Sequence, residues 1–152
     1  MAIFRFRLAT LLNVKIQLEK SAKIELGVAV TQLERERQHL AEIDRELAAL
    51  GADFSASVTG VIDAERIRAI RACIAAVENA KGRQVRKVKE ASDAVDRIRD
   101  RVVVLMQERK VLEKLREKEF EVFRLEGLQE EQRQNDELVT YRGRTREGSG
   151  GT

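Results

Sequence analysis

Few residues in this chain are equipped for chemistry at neutral pH. His39 is the single histidine and Cys73 the single cysteine. One imidazole and one thiol cannot assemble the usual nitrogen and sulfur ligand sets of a zinc site. A serine–histidine–acid relay would have to use His39, which sits beside Leu40 on a helical pattern with no cleft to hold it. No phosphate-cradling GxxxxGK[ST] run is present, and no GxGxxG follows a strand. The carboxylates are numerous but intersperse with Lys and Arg at helical spacing, which suits solubility and weak i,i+4 pairing. The composition and motifs therefore point to a protein that is not an enzyme, with no catalytic residue, cofactor or metal expected.

Two charged segments invite a binding reading. Lys81 to Lys89 (KGRQVRKVK) is a basic run, but no aromatic interleaves it to stack on bases, so no nucleic-acid partner is expected. From Glu130 to Arg142 an acidic cluster gives way to Leu138, Tyr141 and Arg142. Tyr and Arg are common interface anchors, and Tyr141 is the chain's single tyrosine.

The elements that must position these groups are helices. Proline removes a helix hydrogen bond and clashes with the preceding turn, and this 152-residue chain has none. Charged residues make up 36% and aromatics 4%, which fits a thin coiled coil better than a compact globule. The 43% hydrophobic content is placed periodically, which argues against disorder. From Ile67 to Phe123 apolar residues recur at alternating three- and four-residue steps for about eight heptads. The seam runs through Ile70, Ile74, Val77, Val88, Ala91, Val95, Ile98, Val102, Leu105, Leu112 and Phe120, with a polar interruption at Lys81 and Gln84 where the pair is expected to bend or loosen. A first seam runs from Leu8 through Leu12, Ala22, Leu26, Leu33, Leu40, Ile43 and Leu47 to Leu50, interrupted at Lys15, Glu19 and Glu36.

Gly51 follows the last residue of the first seam and reads as a left-handed cap. Small and turn-forming residues fill the stretch from there to Gly60, and Asp63 is placed to cap a second helix. The expected fold is all-α: two long helices forming an antiparallel coiled-coil hairpin over 1–142, with helix one about 5–50, the tip 51–62, helix two about 63–141, and a flexible tail over 143–152. At 1.5 Å per residue the arms would be roughly 70 Å and 120 Å long. Folded back from that tip, residues near Phe6 would lie opposite residues near 107. The stretch 109–142 would then be an overhang without a partner in the chain, and uncovered apolar helix is an interaction site. Cys73 reads as a small residue beside the seam, consistent with a reducing compartment. Phe4-Arg5-Phe6-Arg7-Leu8 breaks up any signal-peptide core, and no apolar stretch of about eighteen residues occurs. A cytoplasmic location is expected.

Three stretches resemble one known family. Phe4-Arg5-Phe6-Arg7-Leu8 followed by Leu11-Leu12 resembles an F-x-F-R-L-x-x-L-L opening. Glu113-Lys114-Leu115-Arg116-Glu117-Lys118-Glu119-Phe120 resembles a basic–acidic segment of the second helix. Gln134-Asn135-Asp136-Glu137-Leu138 resembles a near-terminal D-E-[LF] element, with Arg142 in the basic stretch after it. In order, position and span these are similar to the FliJ family of flagellar type III export. The resemblance implies a coiled coil similar to the central shaft subunit of rotary ATPases. It implies a non-enzymatic stalk that inserts into the hexameric export ATPase FliI, promotes its assembly and activity, and links it to the export gate protein FlhA and to export chaperones. It places the protein in the cytoplasm, peripherally associated with the inner-membrane export apparatus, with membrane contact only through the gate.

Joining that implication to the overhang assigns Phe120, Phe123, Arg124, Leu128, Asp136, Glu137, Leu138, Tyr141 and Arg142 to the ATPase ring. The tip residues Phe54, Ile67 and Ile70 are then the candidates for the gate. Other readings of the same seams are the equivalent stalk of a virulence secretion system, a homodimeric coiled-coil scaffold and an RNA-binding helical hairpin.

Overall fold

A computed structural model describes residues 2–147 of the protein. It is an all-α hairpin of two long helices packed against each other. Helix α1 spans Ala9–Ser57 and α2 spans Ala64–Glu147. The chain divides into two compact units, one comprising Met1–Gln17 with Leu105–Thr152 and the other Leu18–Val104.

The second of these units contains the turn. Ala22, Leu33 and Ile43 of α1 and Val95 and Val102 of α2 are buried there. The pairing is antiparallel: as α1 advances from Glu25 through Glu36 to Asp44, its partners on α2 retreat from Arg101 through Gln84 to Lys81. The Arg101–Glu25 and Lys81–Asp44 flank pairs are exposed, so each contributes about 0–1 kcal/mol and the apolar layers carry the association.

The turn lies later in the chain than the sequence suggests. Gly51 is helical rather than a cap, and α1 continues to Ser57. The seam explains this. Leu47 and Leu50 are followed at helical spacing by Phe54, and all three are half-buried. Part-burial of a phenylalanine, where full burial is worth roughly 1.5–3 kcal/mol, offsets the roughly 1 kcal/mol propensity penalty of a helical glycine. The left-handed residue is Gly60, at φ 82°. Asp63 caps α2 through its Oδ1, which accepts from the Glu65 amide at 3.1 Å.

In the other unit, Phe6, Leu12 and Leu112 form a small buried cluster with Phe4, Leu8, Ile16 and Leu115 packed against it. Lys15 Nζ lies 2.6 Å from Glu108 Oε2. The expectation that 109–142 has no internal partner is therefore overturned for its first part. Two physical causes act together. Moving a hairpin's turn along the chain moves every cross-pair by twice that displacement, so the later turn slides α2 partners toward higher numbers. Residues 2–6 are also not helical, as the sequence reading assumed from Arg5 on. A non-helical segment covers up to about 3.3 Å per residue instead of 1.5 Å, so it reaches further along α2. At the other end of the range, Gly143 to Glu147 belong to α2. The rest of the expected flexible tail lies outside the described residues.

Candidate functional site

The ring candidates lie in the unit that holds Phe4, and the structure sorts them into two groups. Phe120 and Phe123 are met by Phe4. Its ring stands edge-on to Phe120 at 5.3 Å between centroids and tilted against Phe123 at 5.6 Å. Such aromatic pairs are worth about 0.5–1.5 kcal/mol beyond their area. Phe123 is half-buried and Phe120 remains 45% exposed. The two rings are therefore partly covered by the chain's own N-terminal segment, not bare.

The second group begins past this contact. Arg124 pairs with Glu121 of its own helix at 3.0 Å. Leu128, Asp136, Glu137, Leu138, Tyr141 and Arg142 are all exposed. Leu125, Leu138, Val139 and Tyr141 add large apolar surface, with Tyr141 70% exposed. Leu138 and Tyr141 are three residues apart and Glu137 and Tyr141 four, so they neighbour one another on the helix surface. The Asp136 carbonyl accepts from Thr140 Oγ1 at 2.8 Å, a bond internal to α2. This stretch is a helical strip presenting aliphatic groups, one phenol and charges of both signs.

The tip candidates lie in the unit that contains the turn. Phe54 is on α1 rather than in the connection, and its carbonyl accepts from Ser57 Oγ at 2.7 Å. Phe54, Ile67 and Ile70 are half-buried. The apolar residues that the turn does present are Val58, Val61 and Ile62, with Val61 99% exposed. Sequence reasoning passed over them because it looked for turn-forming types between 51 and 62. It also passed over Phe4 as a packing residue. The available signal was its i,i+2 spacing with Phe6, a strand-like period preceding a helical one.

Cys73 and His39 are both exposed. Among the described residues, no group of three or more His, Cys, Asp and Glu is placed to hold a metal. Nor is any helix among them long and apolar enough to cross a membrane.

Comparison with curated proteins gives no match, and neither does comparison with solved structures. A family model described as the flagellar FliJ protein matches residues 4–148, nearly the whole chain. That span takes in the Phe4–Phe6 opening, both helices and the exposed strip of α2. The chain belongs to the FliJ family, a non-catalytic component of the flagellar export apparatus.

Proposed function

We propose that this protein acts as the stalk of the export ATPase. In this reading the distal part of α2 enters the hexameric ring of FliI and promotes its assembly and activity. The observation that carries the reading is the run of exposed apolar and charged side chains from Leu125 to Arg142, beyond the last aromatic that Phe4 covers. Such a surface on a single helix gains stability when a partner buries it.

A helix in the centre of a ring shows each surrounding subunit a different face. Contacts that favour one subunit conformation over another then shift populations and couple ATP hydrolysis to position. Phe120 and Phe123 belong to this surface together with Phe4, so the N-terminal segment shares the binding face. The tip, through Phe54, Ile67, Ile70 and the bare Val61 and Ile62, serves the export gate protein FlhA. Export chaperones are handled by the same protein in the cytoplasm, at the periphery of the inner-membrane apparatus.

The test is stimulation of the cognate ATPase by a chain ending at Glu126. That truncation keeps Leu112, Leu115, Phe120 and Phe123 with their N-terminal cover. Circular dichroism should show retained helix, and stimulation should be lost. Full stimulation by the truncated chain would overturn the assignment of the ring to α2 beyond Glu126.

A further inference from the structure

The apolar seam of the Leu18–Val104 unit is broken by two buried polar side chains, Glu19 at its edge and Gln84 within it. Gln84 is 2% exposed, among the most buried side chains of the described residues. Its Nε2 donates to the main-chain carbonyl of Glu36 at 2.9 Å and also to the Glu36 carboxylate. The sequence marks this place as a loosening of the pair. The geometry instead ties the helices together there, with Lys81 Nζ bound to Asp44 at 2.7 Å on the flank.

The rest of the seam is nearly degenerate under sliding. Its layers are built from Ala, Val, Ile and Leu: the Val, Ile and Leu layers exchange places with small changes in volume, while Ala22, 1% exposed, does not. Advancing α2 by one heptad past α1 leaves apolar facing apolar almost everywhere. The exposed flank pairs Lys81–Asp44 and Arg101–Glu25 discriminate weakly, because water replaces either partner at little net change. The turn discriminates only through its own residues, the left-handed Gly60 and the half-buried Phe54. Its hydrogen bonds are local, from Thr59 N to the Ala56 carbonyl and from Thr59 Oγ1 to the Ser55 carbonyl. Val61 and Ile62 pack on little, so they add nothing to that preference.

The Gln84 layer reads position within the seam by hydrogen bonding. In a shifted pairing Gln84 would face Ala29 or Ile43, and its buried amide would have no acceptor from a side chain there. Of its two observed acceptors, the Glu36 main-chain carbonyl has a counterpart at every turn of α1, so the Glu36 carboxylate is the one that marks the axial position.

We infer that the Gln84–Glu36 layer is the register pin of the hairpin: it selects one axial pairing of α1 and α2 from apolar layers that would accept several. A buried polar group that fixes register at the expense of stability is a known use in coiled coils.

The experiment is a spin-label distance measurement on the full chain. Labels go on Arg37→Cys and Arg97→Cys, both exposed positions, in a Cys73→Ser background. With Gln84 present, one distance is expected. With Gln84→Leu, helicity and the thermal midpoint should hold or rise. A second distance population should appear, displaced by about 10 Å, one heptad at 1.5 Å per residue. A single, unshifted distance in Gln84→Leu overturns the inference. Should Gln84→Leu lose its helix, the double variant Glu36→Leu with Gln84→Leu leaves neither group unpaired and is read in the same way. If the double variant fails to fold as well, the layer is a stability element and not a pin.

Discussion

The Glu36 carboxyl lies below its ordinary value of 4.5, chiefly because the Gln84 amide donates to its charged form. Desolvation opposes this, while Gln32 and the nearby positive charges of Lys87 and His39 support it. A carboxylate whose pKa is depressed on folding contributes stability that is complete above the unfolded value. That contribution is lost as pH falls from about 4.5 through the lower folded value. Glu36→Gln removes the titration and keeps an oxygen for Gln84 to bind. Urea midpoints followed from neutral pH down through that window should fall less steeply in Glu36→Gln than in the parent. Equal slopes would show that the depressed pKa contributes nothing to stability. At this scale the sequence identified Glu36 and Gln84 as breaks in two seams. It could not show that they meet, because a polar residue in a heptad looks the same whether water or a carbonyl across the pair satisfies it.

At the scale of the element, the periodic residues alone were enough to read the two helices and their antiparallel pairing. Apolar spacing is a direct consequence of the helical period, and Asp63 is a capping residue in a capping position. The position of the turn was not legible, because Gly51 and Gly60 are alike as letters. Tertiary burial of Phe54 decides between them, and that burial depends on the pairing it helps to define. The two glycines should therefore respond oppositely to the same substitution. Gly51→Ala, at a helical position with open space around a new Cβ, should stabilise the protein by about 0.5–1 kcal/mol. Gly60→Ala, at φ +82°, should destabilise it by about 1–2 kcal/mol. Thermal melts of the two single variants check both signs. A stabilising Gly60→Ala would mean that the turn does not hold its left-handed residue in solution. The displaced turn also accounts for the candidate site: where α2 runs out of cover depends on where the chain reverses. Sequence periodicity predicts that an uncovered stretch exists but not that it starts beyond Phe123.

On the scale of the whole molecule, 29 basic and 26 acidic residues leave a net charge of only +3 on a densely charged surface. Signs this mixed give little long-range attraction to a polyanion, so recognition rests on local contact. The interior is correspondingly slight. Eight apolar side chains are buried among the described residues, and three of those, Phe6, Leu12 and Leu112, belong to the cluster beside the N-terminal segment. Two helices cover each other on one face only, so most of every turn already faces water before unfolding begins. Heat capacity of unfolding reports newly hydrated apolar area, and globular domains give about 12–15 cal/mol/K per residue. Scanning calorimetry on this protein should give a value below that range. Its free-energy curve against temperature should be flatter than a globule's, holding the helices paired over a wide interval with only a shallow maximum.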